Sequence, residues 1–180
     1  VRHRFGIMPD FSLAGRVALV TGSSRGLGAA IATGLAAAGA GVILYGRDPD
    51  RLKAARVPGT IGTLAFGVSD TAATNAAFQT IARDHGRLDI LVNNTGVILR
   101  KPLLETTDED WASVIDSNLS AYFPPVPGSR PPNGAGEIGA DHYGVVNHGP
   151  GRAAVFLASA AASYVTGHIL VVDGGLSAAL

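Results

Sequence analysis

Val17-Ala18-Leu19-Val20-Thr21-Gly22-Ser23-Ser24-Arg25-Gly26-Leu27-Gly28 is the stretch that decides the fold. Four apolar residues in a row, ending at glycines, read as a strand buried on both faces. Leu27 to Ala38 is alanine-rich, contains no proline and stops at Gly39, which reads as a helix with a glycine just past its end. Between strand and helix stand Gly22, Gly26 and Gly28. Without a Cβ, such a loop turns tightly and lets its backbone approach a pyrophosphate, while the helix start offers free N–H donors and the positive end of its dipole. A glycine triplet alone is a weak signal. Placed after a strand and at the opening of a helix, it reads as a dinucleotide phosphate loop.

Working outward, Val42 to Tyr45 reads as a second strand, and Pro49 starts a short helix running to about Arg56. Leu64 to Val68 reads as a third strand. Asp70 or Thr71 caps the next helix, which carries Ala77, Phe78 and Ile81 on one face and ends at Gly86. Leu88 to Val92 is a fourth strand. Thr107-Asp108-Glu109-Asp110 resembles a capping box, opening a helix with Trp111, Val114, Ile115 and Leu119 at helical spacing. Strands alternating with helices imply a parallel sheet covered on both faces.

The pattern stops at Pro124. From there to Gly151, 6 prolines and 7 glycines make up 13 of 28 residues, and only Tyr143 to Val146 reads as a short strand. Regularity returns with a helix from Arg152 to about Ser163 and a strand from His168 to Val172. The fold expected is α/β, a Rossmann-like doubly wound parallel sheet, truncated to about five to six strands. It is expected as a single domain over residues 1–180, with 124–151 as an irregular junction.

Composition narrows the function. The chain has 180 residues, 47% hydrophobic and 16% charged, enough apolar material for a core. Fourteen basic and fourteen acidic residues leave no net charge, so neither nucleic acid nor an anionic membrane is an expected partner. There is no cysteine, which excludes disulfides and thiol catalysis and is compatible with a reducing cytoplasm. Val1 to Gly15 lacks the apolar run of a signal peptide. Ala153 to Val172 has no formal charge over 20 residues, but its polar interruptions and the change of character at Thr166-Gly167 read as a buried helix followed by a strand. A cytoplasmic location follows as the expectation.

Cofactor choice is legible at the end of the second strand, Tyr45-Gly46-Arg47. Gly46 offers no carboxylate for the ribose hydroxyls of NAD, while Arg47 and Arg25 suit a 2′-phosphate. That favours NADP(H) over NAD(H).

These motifs resemble the short-chain dehydrogenase/reductase family, in particular its gluconate 5-dehydrogenase-like and oxoacyl-reductase-like members. The family's glycine motif appears as Thr21 to Gly28, its Asn-Asn-Ala-Gly as Asn93-Asn94-Thr95-Gly96, its helix asparagine in Asp116-Ser117-Asn118-Leu119, and its C-terminal run between Ala154 and Gly175. The resemblance covers residues 11–123 and 152–176. It implies hydride transfer between a nicotinamide and a small hydroxyl or carbonyl compound. By position it assigns Gly22, Ser24, Arg25, Gly26, Leu27 and Gly28 to the cofactor phosphates, Arg47 to the 2′-phosphate side, and Asn94 and Gly96 to the cofactor ribose and sheet edge. Gly67-Val68 stands where relatives often carry Asp-Val or Asn-Val beside the adenine, so Val68 is placed there without the side-chain hydrogen bond. Asn118 matches the active-site asparagine that positions a water in a proton relay. Homo-oligomers are compatible with the resemblance.

The family's acid/base pair has no counterpart. A phenol near pKa 10 needs an adjacent cation to work at neutral pH, and the family supplies a lysine four residues after its tyrosine. This chain has only Lys53 and Lys101, and Tyr143 is followed four residues later by Asn147. Tyr143 is the remaining candidate acid, with Asp141, His142, His148 and Ser129 as weaker substitutes. No metal site is expected, because the spacing of His142 and His148 fits neither a helix pair nor a common zinc pattern. A chain that binds dinucleotide without catalysis, or a truncated remnant, is the alternative reading.

Overall fold

A computed structural model of the chain describes residues 10–67, 70–118, 138–139 and 149–173. The elements are β1 (Val17–Val20), α1 (Gly26–Ala37), β2 (Gly41–Gly46), α2 (Pro49–Ala54), β3 (Thr60–Ala65), α3 (Thr71–His85), β4 (Ile90–Asn93), α4 (Asp108–Asn118), β5 (Ile138–Gly139) and α5 (Gly149–Ala158). Short 3-10 turns lie at Leu103–Glu105 and Ala160–Ala162. The five strands form one parallel sheet in the order β3-β2-β1-β4-β5. Sequence order reverses between β1 and β4, and the C-terminal strand ends at such a switch point are where sheets of this kind bind their ligands.

Alternation along each strand builds two cores. Ala18 and Val20, with Val42 and Leu44 beside them, join Ile31, Leu35, Leu52 and Ala154 on the face covered by α1 and α5. Val17, Leu19, Ile43 and Tyr45 point the other way, against Ile81 of α3 with Phe66, Phe78 and Leu88. Burial on both faces is why β1 and β2 read as unbroken apolar runs. Val20, Leu35 and Leu44 are fully buried; each such side chain contributes about 1.5–3 kcal/mol relative to exposure. Asp89 ties the start of β1 to β4: its carboxylate accepts from Val17 N at 2.8 Å, its own N–H donates to Val17 O at 2.9 Å, and Arg87 pairs with it.

The local signals act as read. Asp70 caps α3 by accepting from Ala73 N at 2.9 Å, and Gly86 closes it at φ 72°. Pro49 opens α2 as expected, and Asp48, not singled out above, caps it by accepting from Asp50 N at 3.0 Å and Arg51 N at 3.1 Å. Thr107 and Asp110 form the reciprocal capping box of α4, at 3.2 and 3.1 Å.

Several expectations differ, among them the helix expected from Arg152 to about Ser163, which runs Gly149–Ala158 and is followed by the turn at Ala160–Ala162. The third strand begins four residues earlier than read, at Thr60, and ends at Ala65 rather than Val68. It is a sheet edge with a register shift between Val42 and Ile43, so its half-exposed pattern carries Thr60 and Thr63 that an apolar-run reading passes over. The helix with Trp111 has no buried residue, and Trp111 is 65% exposed; spacing fixes which residues share a face, not whether another layer reaches it. The expected strand at 168–172 is not a strand. Ile169 is 85% and Val171 62% exposed. A strand needs a neighbour, and the place beside β4 is taken by β5, with Val92 opposite Ile138 and Asn93 opposite Gly139. The expected strand at Tyr143–Val146 lies outside the described residues.

Candidate cofactor site

The glycine loop leaves the C-terminal end of β1 at Thr21, and its shape is fixed by β4. Thr21 N donates to Val92 O at 2.9 Å, and the Thr21 hydroxyl donates to the same oxygen at 3.2 Å. That hydroxyl also accepts from Asn94 N at 2.8 Å and Thr95 N at 2.9 Å. Asn94 returns the contact, its Nδ2 donating to Thr21 O at 2.9 Å and Gly22 O at 3.4 Å. Phosphate loop and Asn-Asn-Thr-Gly segment are thus one hydrogen-bonded unit across the switch between β1 and β4.

Glycine is favoured at all three positions, by backbone conformation at Gly22 and Gly26 and by close packing at Gly28. Gly22 holds φ 63°, which L side chains rarely adopt. Gly28 lies under the loop: a Cβ there would press on Gly22 O and stand 2.5 Å from Asn94 Nδ2. Gly26, at φ 57°, instead faces open space, with nothing within 4 Å of where its Cβ would be.

That open side lies at the N-terminus of α1. Arg25 occupies the N-cap with no side-chain cap bond, and no acidic residue stands in the first turn. Asp48 and Asp70 fill the same role for α2 and α3. Unpartnered helix-start N–H groups, an exposed Arg25 beside them and a loop cleared of side chains are donors suited to a dinucleotide pyrophosphate. The residues present therefore fit the cofactor that the sequence implies. Ser24 and Leu27 flank the loop, half-buried, and Arg47 leaves β2 exposed. Asp48, next to Arg47, has its carboxylate occupied by the α2 cap and by Arg51 Nε at 3.1 Å. Gly96 follows Asn94, half-buried. Val68 lies outside the described residues.

Asn118 closes α4 with its side chain turned to the loop after β4. Its Oδ1 accepts from Val97 N at 2.7 Å, and its Nδ2 donates to Val97 O at 2.8 Å. This two-point clamp sets the distance between α4 and the Asn94–Gly96 segment.

The described tyrosines do not supply an acid/base. Burial pushes the Tyr45 phenol up to about 12, Arg47 draws it back, and Asp70 pushes it further up. Its hydroxyl donates to Phe66 O at 3.1 Å, with the rings edge to face at 4.7 Å. Tyr164 is fully exposed. Lys101 pairs with Asp110 at 2.5 Å, and Lys53 is exposed on α2. Tyr143, Asp141, His142, His148 and Ser129 lie outside the described residues. Among the described residues no group of three or more His, Asp or Glu is placed to hold a metal, and no helix is long and apolar enough to cross a membrane.

Sequence reasoning passed over two contacts. Ser23 is fully buried, its Oγ accepting from Tyr45 N at 2.9 Å. Gly34 of α1 meets Gly151 of α5 so closely that a Cβ on Gly34 would stand 2.9 Å from Gly151 Cα. A glycine inside a helix otherwise built of good helix formers was the available signal for the second. A serine between a glycine and a serine carried none for the first.

Residues 16–128 match the short chain dehydrogenase family. The chain belongs to that family. Gluconate 5-dehydrogenase of Gluconobacter oxydans is 43% identical over 121 residues, 64% of this chain and 47% of that enzyme. A gluconate 5-dehydrogenase structure from Burkholderia cenocepacia, in complex with NADP and tartrate, superposes with a TM-score of 0.78 at 26% identity, covering 96% of this chain and 99% of that one. L-sorbose reductase of Gluconobacter frateurii, complexed with NADPH and L-sorbose, gives 0.58 at 34% identity over 63% of this chain and 45% of that one. In the sequence match to the Gluconobacter oxydans enzyme, the short-chain dehydrogenase chain described here spans about half of its relative's length. The family match ends at residue 128, inside the Pro124–Gly151 segment.

Proposed function

We propose that this short-chain dehydrogenase binds NADP(H) at the C-terminal ends of β1 and β4. In this reading the backbone of Gly22, Ser24, Arg25, Gly26, Leu27 and Gly28 takes the pyrophosphate, Arg47 the 2′-phosphate, and Asn94 and Gly96 the ribose at the sheet edge. Val68 lies beside the adenine. The observation that carries it is the uncapped start of α1, facing a loop cleared by Gly26, with Arg25 and Arg47 exposed beside it. The nicotinamide, when bound, supplies hydride to or takes it from a small hydroxyl or carbonyl compound. Asn118 holds the loop after β4 against α4 and so shapes the floor on which that compound would sit.

We infer a second reading, dinucleotide binding without turnover by the tyrosine–lysine route, from the cations. No lysine follows Lys101 in the sequence, and Lys101 itself is paired with Asp110. Tyr143 is the residue proposed as acid if turnover occurs. The chain, residues 1–180, acts as a single dinucleotide-binding domain in both readings.

Fluorescence titration of the full chain with NADPH tests the binding claim, with saturation expected and a rise in thermal midpoint beside it. No response up to millimolar cofactor would sink it. Turnover is tested separately, with polyol and ketone substrates: steady NADPH consumption that is lost in Tyr143→Phe supports the oxidoreductase reading, and its absence in a chain that binds NADPH supports the second.

A further inference from the structure

The buried Ser23 hydroxyl has a place in this site that touching the ligand cannot explain, because it is closed off from solvent altogether. Its Oγ accepts from Tyr45 N at 2.9 Å, and Ser23 N donates to Tyr45 O at 3.0 Å. The phosphate loop therefore grips both backbone polar groups of Tyr45, as a neighbouring strand would. On its other side the same strand end is held by Phe66, the residue just after β3: Phe66 N donates to Gly46 O at 3.2 Å, and the Tyr45 hydroxyl donates to Phe66 O at 3.1 Å. Arg47 leaves the strand immediately beyond this frame, and the nearby Ser24 Oγ stands 3.7 Å from where a Gly46 Cβ would be.

We propose that Ser23 is a positioning residue that locks the phosphate loop to the Arg47 end of β2, and that it thereby sets the preference for a 2′-phosphorylated dinucleotide. The inference rests on the NADP(H) reading above. NADPH spans both parts, its pyrophosphate on the loop and its 2′-phosphate on Arg47, so its affinity depends on their fixed spacing. NADH keeps every contact of this reading except the one through the 2′-phosphate, so it does not draw on the Arg47 spacing. Removing the hydroxyl leaves Tyr45 N buried with no acceptor, and a buried donor in that state is relieved by shifting the strand end. The Ser23 N–H bond to Tyr45 O is untouched by the change, so the loop keeps its own shape.

The test uses the full chain with Ser23→Ala, Arg47→Ala and the double variant, each titrated with NADPH and NADH, together with amide hydrogen exchange of the cofactor-free proteins. S23A is expected to weaken NADPH about tenfold and NADH less than about threefold. In the R47A background the same change should have little further effect on NADPH, because the two residues act through one another. Exchange at Tyr45 to Arg47 should rise in S23A and stay unchanged in R47A. Equal weakening of both cofactors, or an S23A effect that persists undiminished beside R47A, overturns the proposal. If the unmodified chain binds neither cofactor, the NADP(H) reading fails by itself. The exchange comparison then still judges the lock, and no rise at Tyr45 to Arg47 overturns it. Ser23→Cys fills the site with a weak acceptor and gives the same comparison if the alanine variant does not fold.

Discussion

Gly28→Ala places a methyl group where the phosphate loop has no room. The new Cβ would press on Gly22 O, stand 2.5 Å from Asn94 Nδ2 and 2.9 Å from Gly22 C. Two of the three neighbours are backbone, and the third is a side chain already donating to Thr21 O at 2.9 Å. None of them is the free end of a flexible chain, so the loop itself must lift. Overpacking of this kind costs about 1–3 kcal/mol. For a chain of this length each kcal/mol lowers the thermal midpoint by about 2–4 °C. A fall of roughly 2–12 °C is the outcome expected by differential scanning fluorimetry. Lifting the loop also separates the α1 N–H groups from the pyrophosphate position, and NADPH affinity is expected to fall by more than about tenfold. Gly26→Ala is the matched comparison. Its Cβ meets nothing within 4 Å, and only the positive φ of 57° opposes it, a cost of about 1–2 kcal/mol. A G28A protein that melts with the parent and binds NADPH as well would refute the packing of this loop and the site built on it.

Replacing Asn118 with leucine removes both bonds to Val97 and is expected to cost about 1–3 kcal/mol, with faster amide exchange confined to 97–106; an unchanged melt would show that the clamp does not hold α4. Asp70→Ala deletes the α3 cap at about 1 kcal/mol and should leave NADPH affinity unaltered in the same titration. The Tyr45 phenol, raised to about 12 in the folded chain against 10.0 for the ordinary group, binds its proton more tightly folded than unfolded. Its contribution is complete below about pH 10 and is lost as pH rises through about 12. Denaturation series at pH 9 and 11.5 should show that loss, and Tyr45→Phe should remove it.

What could be read in the sequence was what local chemistry dictates. Asp70 and the Thr107–Asp110 pair cap their helices because each side chain reaches an N–H group three residues away. Gly86 ends α3 because its own φ does. The glycine loop was legible because strand, turn and helix start are contiguous. What escaped reading depends on residues far apart. Ser23 finds Tyr45, 22 residues on, and Asn118 finds Val97, 21 residues back. The strand expected at 168–172 had the right composition and no neighbour, and composition does not carry the order of a sheet.

Gly34 turns that non-local contact into a measurement with a sign. Within a helix, glycine to alanine stabilises by about 1 kcal/mol when the site is free, because the backbone loses less entropy. In α1 the site is not free: a Cβ on Gly34 would stand 2.9 Å from Gly151 Cα and 3.0 Å from both Gly151 C and O. All three atoms are backbone of α5, so the helices must part to admit the methyl group, at about 1–3 kcal/mol. The net change is then near zero or destabilising, by up to about 2 kcal/mol. Gly151→Ala asks the same question from the other helix, where the new Cβ would lie 3.0 Å from Ala30 O. If the residues after Pro124–Gly151 were not docked on the first half of the chain, both substitutions would raise the thermal midpoint, since each would then relieve a helix of a glycine. Two unchanged or lowered midpoints mean that α5 closes the same core as α1, bringing the C-terminal run against the dinucleotide half of the fold. Two raised midpoints mean that it does not.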